Sequence, residues 1–119
     1  MVMAYSKKGE FSASHTRLAA FHAALAHPAR IAILRMLASK DCLCGEMVDI
    51  LPLAQSTVSQ HLKVLRDAGL ICGKSRGPKC CYVLNPKAIR RFSDLFMGLL
   101  AELPESCKCG KGGKRAKCR

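Results

Sequence analysis

The sequence contains no apolar run near the ~18 residues that a membrane span requires. No apolar block of signal-peptide length follows Lys7 and Lys8 near its start. The expectation is a cytoplasmic protein with no membrane partner. Acidic residues are scarce: 8 Asp and Glu stand against 20 Lys and Arg, a net charge of +12 over 119 residues. That balance disfavours cationic partners and favours polyanions, with nucleic acid first. Internal repeats are absent, which argues against a solenoid. So is any recognisable nucleophile, base and orienting group in combination, and an enzyme is not expected.

What is present is a chain of single-domain size with a small core. It carries eight cysteines, at 42, 44, 72, 80, 81, 107, 109 and 118. A reducing cytoplasm does not favour structural disulfides. So many thiols in a small chain point to soft-metal binding or thiol chemistry, although any single one, Cys72 above all, can be a small buried apolar residue.

Residues 1–13 read as a flexible N-terminus. From Ser14 to about Ala26, Leu18, Phe21 and Leu25 recur at helical spacing. Pro28 opens a second helix, where its missing N–H costs nothing, with Ile31, Leu34 and Leu37 as one stripe. A short third helix spans about Gly45 to Leu51, and Pro52 stops it. In "LAQSTVSQHLKVLRDAGLI", Val58, Leu62 and Leu65 face inward and Gly69 ends the fourth helix. Residues 70–84 form a hairpin around "RGP", and Asn85-Pro86 start a last helix that runs to Leu103. Residues 104–119 are a basic, Cys-rich tail with six Lys or Arg and one acid, expected to be disordered without a partner. Five helices with one hairpin, mainly α, describe a winged helix-turn-helix in residues 14–103.

The outer face of the fourth helix is unusual for a solvated surface. Gln55, Ser56, Thr57, Ser59, Gln60, His61 and Lys63 are short, amide-bearing or basic, with no acid before Asp67. Gln pairs with adenine, Ser and Thr with bases or phosphates, and Lys with phosphate or guanine. His61 has two readings, a DNA-facing donor or an internally satisfied ring, and the first is preferred. Lys74, Arg76 and Lys79 flank Gly77-Pro78, as suits a wing tip reaching DNA backbone or minor groove.

"LAHPARIAILRML", "STVSQHLKVLRDAGLI" and "GPKCCYVLNP" together resemble the ArsR/SmtB family of bacterial metalloregulatory repressors, over roughly residues 18 to 100. The resemblance implies a homodimer on double-stranded operator DNA that needs no cofactor to bind and leaves when an inducer arrives. It places the dimer interface on the first and last helices, here Leu18, Phe21, Leu25, Phe92, Phe96, Leu99, Leu100 and Leu103. Some members sense metal through Asp and His pairs on the last helix. Residues 86–103 have no His, and their only acids are Asp94 and Glu102. Others sense persulfide through cysteines on the second and last helices, which here hold none. A third class uses Cys-x-Cys-x-x-Cys at the third helix. "CLCGEM" supplies Cys42 and Cys44, with Met47 in place of the third cysteine and the pair displaced by one residue from the family's position.

The resemblance therefore implies Cys42 and Cys44 as ligands for arsenite, antimonite or another soft ion such as cadmium or lead. Thiolates select such ions. Two cysteines at i and i+2 share a face only in extended chain. A helix start lowers thiol pKa. The third donor stays open among Cys80, Cys81, Cys107, Cys109 and Cys118. If Lys74 pairs with Lys79, Cys72 and Cys81 stand opposite one another. Two alternatives remain beside the metal-released repressor: a thiol-redox repressor of the same fold, or a small metal-buffering or RNA-binding protein using its tail.

Overall fold

The computed structural model describes residues 11–40, 42–77 and 79–104. Most of the expected N-terminal segment, Pro78 of the wing tip, and tail cysteines Cys107, Cys109 and Cys118 lie outside the described residues. The order is α1 (Ala13–Leu25), α2 (Pro28–Ser39), β1 (Cys42–Leu43), α3 (Cys44–Ile50), α4 (Gln55–Asp67), β2 (Ile71–Arg76), β3 (Lys79–Leu84) and α5 (Pro86–Glu102). This is the winged helix-turn-helix that the sequence pattern describes, with β1 added at the edge of the wing. No described helix is long and apolar enough to cross a membrane.

Local chemistry sets the helix ends. Ser12 Oγ accepts from the His15 N–H at 3.3 Å and caps α1. His27 Nδ1 accepts from the Ala29 N–H at 3.0 Å, with Pro28 in the first turn of α2. At the end of α4, Gly69 takes φ +82. The Gly69 N–H bonds to the Arg66 carbonyl at 2.9 Å and the Leu70 N–H to the Leu65 carbonyl at 3.1 Å. That pairing is a Schellman motif, and its residues Leu65 and Leu70 are both fully buried. Asn85 begins α5 without a side-chain cap. Its amide instead donates to the Gly69 carbonyl at 2.9 Å, tying the base of the wing to the end of α4.

The core gathers Phe21, Ala24, Ile33, Leu37, Met47, Val58, Leu62, Leu65, Leu70 and Ile71. Val58, Leu62 and Leu65 point inward as expected. In α2 Leu37 is buried and Leu34 packs against the core as expected, while Ile31 is 45% exposed and Ala29 and Ile33 are buried instead. The pattern "IAILRML" is apolar at nearly every position, and packing decides which of those positions is buried. Phe21 also departs from the dimer face assigned to it. It is buried within the protomer, its ring 5.4 Å from that of Phe92. Phe92 and Phe96 stack at 5.8 Å and are half-buried, with the His22 ring edge-on to both. Leu99, Leu100 and Leu103 remain exposed beyond them.

The wing is antiparallel, in the order β1-β3-β2. Arg76 pairs with Lys79, Ser75 with Cys80, Lys74 with Cys81 and Cys72 with Val83. This corrects the conditional pairing of Lys74 with Lys79, and Cys72 does not stand opposite Cys81. A two-residue connection at Gly77 and Pro78, with Gly77 at φ +61, sets the register.

Candidate nucleic-acid interface and thiol cluster

The hydrophobic stripe of α4 fixes which side chains it leaves outside. With Val58, Leu62 and Leu65 buried, Gln55, Ser56, Ser59, Gln60 and Lys63 are exposed and Thr57 is half-buried. The first turn of α4 holds no acid, and Ala54 at its N-cap provides no side-chain bond. Its leading N–H groups and positive dipole end are thereby left to an anion. Lys74 and Ser75 are exposed on the neighbouring wing, and Arg76 and Lys79 pair at its tip.

His61 does not belong to this face. It is 8% exposed and accepts at Nδ1 from Arg30 Nε at 3.1 Å, the internal alternative that the sequence left open. The His27 ring lies 4.3 Å away. Arg30 also donates through Nη1 to the carbonyls of Ala23 and Ala24, at 3.0 and 3.3 Å. One guanidinium therefore joins the end of α1, the start of α2 and the middle of α4. Sequence reading passed over Arg30. Its one visible sign was a cation following "HP" at a helix start.

Burial, then the neighbouring His27 and Arg30, lower the His61 pKa below its ordinary 6.5. The unfolded chain therefore takes up a proton that the folded one refuses, and stability falls as the pH drops below about 6.5. The urea midpoint is expected to decline between pH 7.5 and 5.5 more steeply than in His61→Gln. The slope difference is bounded by about 1.4 kcal/mol per pH unit for one proton. Parallel pH profiles in the two proteins would refute the assignment.

The described thiols divide by burial. Cys81 is 3% exposed and belongs to the interior, Cys44 is half-buried, and Cys72 and Cys80 are exposed. Cys42 lies in the extended β1 and Cys44 is the first residue of α3. The backbone is extended through Cys42 and Leu43 and turns helical at Cys44. Met47, in place of a third cysteine, is fully buried in the core. Cys44 Sγ lies 3.9 Å from Ser59 Oγ, so the start of α3 touches the outer face of α4. On β3, Cys80 and Tyr82 share a face. Burial raises the Tyr82 pKa above its ordinary 10.0, the neighbouring Cys80 and Cys44 push the same way, and Arg66 opposes them. Sequence reading also missed Tyr82, which only the register of the wing places between these thiols. Among the described residues, no three His, Cys, Asp or Glu side chains form a group that could hold a metal.

A helix-turn-helix with a wing, an uncapped helix with a polar, acid-free outer face and a thiol beside it suits a DNA-binding regulator, and comparison with known proteins narrows the class. Residues 27–72 match the family described as bacterial regulatory protein, arsR family. The HTH-type transcriptional repressor SmtB of Mycobacterium tuberculosis is 44% identical over 61 residues, 51% of this chain and 45% of that one. The arsenical resistance operon repressor of Bacillus subtilis is 36% identical over 81 residues, 66% of this chain and 70% of that one. A crystal structure titled as a possible transcriptional regulator for arsenical resistance superposes with a TM-score of 0.60 at 28% identity, over 69% of this chain and 94% of that one. The chain spans 62% and 45% of the length of the first mycobacterial relatives it matches. The chain belongs to the arsR family of bacterial regulatory proteins, a family of transcriptional regulators and not of enzymes.

Proposed function

We propose that the chain is a homodimeric transcriptional repressor that holds operator DNA through α4 and the wing. A soft thiophilic ion bound at Cys42 and Cys44, such as a trivalent arsenical, releases it. The observation that carries this reading is the contact of Cys44 with Ser59. It puts a candidate ligand thiol against a candidate base-reading side chain. An ion drawn to the thiol acts on DNA binding only through its different affinity for the bound and free conformations, and this contact is a short route for that difference.

The dimer reading rests on α1 and α5. Leu18, His22, Leu95 and Leu99 line an open groove of about 450 Å³ between them. Leu99, Leu100 and Leu103 add exposed apolar surface alongside it. A two-fold arrangement would present two copies of α4 to half-sites about one helical turn apart, or a multiple of it. The names of the Bacillus subtilis relative and of the superposed crystal structure favour an arsenical as the ion.

The test uses fully reduced protein on a fragment of its own promoter. Arsenite or antimonite is expected to lower the bound fraction at concentrations where zinc does not, because thiolates discriminate in that direction. A two-fold footprint is expected before the ion is added. Retention on DNA in arsenite and antimonite, with release only under oxidant, would replace the metal reading with the redox one.

A further inference from the structure

Two cysteines do not complete a site for a trivalent ion, and the wing offers a third. Cys80 is exposed on β3, on the same face as Tyr82. Tyr82 is the register partner of Cys42 on β1, and Cys44 follows β1 directly. Across the wing, Tyr82 pairs with Gly73 of β2. A Cβ at Gly73 would lie 3.2 Å from Cys80 Sγ and 3.6 Å from Tyr82 Cε1. With no side chain at Gly73, the Cys80 thiol lies against the β2 backbone there. Cys81 points the other way and is buried, beside Lys74 on one strand and Leu43 on the other in register.

We propose that Cys80 is the third thiolate donor, so that one trivalent arsenical is held within a single protomer by Cys42, Cys44 and Cys80. This rests on the thiol-sensing reading above and goes beyond it by naming the donor and the subunit. The chemistry is ligand exchange without a redox step. Each thiol gives its proton to one hydroxide of arsenous acid, which leaves as water while an As–S bond forms. Three bonds and three waters result, and arsenic stays trivalent. The consequence is mechanical. The bridge joins the wing to the start of α3, which touches Ser59 on the outer face of α4.

The tyrosines provide a local reporter. The chain has no tryptophan and two tyrosines, Tyr5 and Tyr82. In full-length Tyr5→Phe protein, reduced and anaerobic, arsenite is titrated while sulfur-to-arsenic absorbance and Tyr82 emission are read. Cys80→Ser is expected to weaken arsenite binding by at least about tenfold, the lower end of what even outer-shell partners of a metal produce. It should also abolish the accompanying change in Tyr82 emission. Cys81→Ser, and the triple replacement Cys107→Ser, Cys109→Ser and Cys118→Ser, should bind within about twofold of the parent by the same scale. If Cys80→Ser binds like its parent while the triple replacement or Cys81→Ser fails to bind, the third donor is elsewhere. If the parent itself takes up no arsenite, the thiol-sensing reading falls, and this assignment with it.

Discussion

Replacing Ser59 and Gln60 together by alanine is expected to abolish operator recognition and leave the fold and the dimer intact. Both side chains are exposed and lie off the Val58, Leu62 and Leu65 stripe that anchors α4. Changes at such positions usually stay within about 0.5 kcal/mol of wild-type stability. Their value to DNA binding is far larger. Each lost base contact costs about 1–3 kcal/mol. Even the lower figure, taken twice, is roughly thirtyfold in affinity. A gel-shift titration at fixed salt, paired with a melting curve, reads both quantities. Unchanged operator affinity in the double variant would show that α4 does not read the groove with these residues.

Cys42→Ser and Cys44→Ser should each bind the operator nearly as wild type and fail to leave it when arsenite is added. Serine keeps the size of cysteine, so the half-buried position of Cys44 beside Ser59 is preserved. What is lost is the soft donor, since an alcohol oxygen does not replace a thiolate toward a thiophilic ion. The expected pattern is a near-normal starting affinity with a flat response over the arsenite range that frees the wild type. Normal release by both variants would reduce the "CLC" segment to packing and move the sensor elsewhere. The pair of outcomes also separates two faults that a single assay confuses, a repressor that cannot bind and one that cannot let go.

Periodicity made much of this fold readable. The α4 stripe at i, i+4 and i+7, the glycine at its end, and the prolines opening α2 and α5 are all local signals. A helix reports its inward face wherever only one face is apolar. The same logic revealed the polar outer face of α4, because the residues not needed for packing were the ones chosen for something else. In α2 it misled, since nearly every position is apolar and only the neighbour decides which stripe is buried. For α5 the pattern showed a wide apolar face but not its division. Phe92 turns toward Phe21 inside the protomer, while Leu99, Leu100 and Leu103 stay in the open.

The sequence by itself determined that this is a basic winged helix-turn-helix whose fourth helix has a polar outer face. Those conclusions rest on composition and on spacing within single elements. Only the tertiary structure decided where distant residues meet. His61 lies in a helix whose outer face is polar, yet Arg30, 31 residues away in sequence, draws it inside. The two-residue β1 is too short to show an alternation, so its pairing with β3, which sets Cys42 opposite Tyr82, had no sequence signal. The expected pairing of Lys74 with Lys79 lies two positions from the register found, Arg76 with Lys79, so the partners change while each side chain keeps its face. Strand alternation separates Cys80 from Cys81, and only the packing of β3 against the core fixes that Cys81 is interior and Cys80 faces solvent.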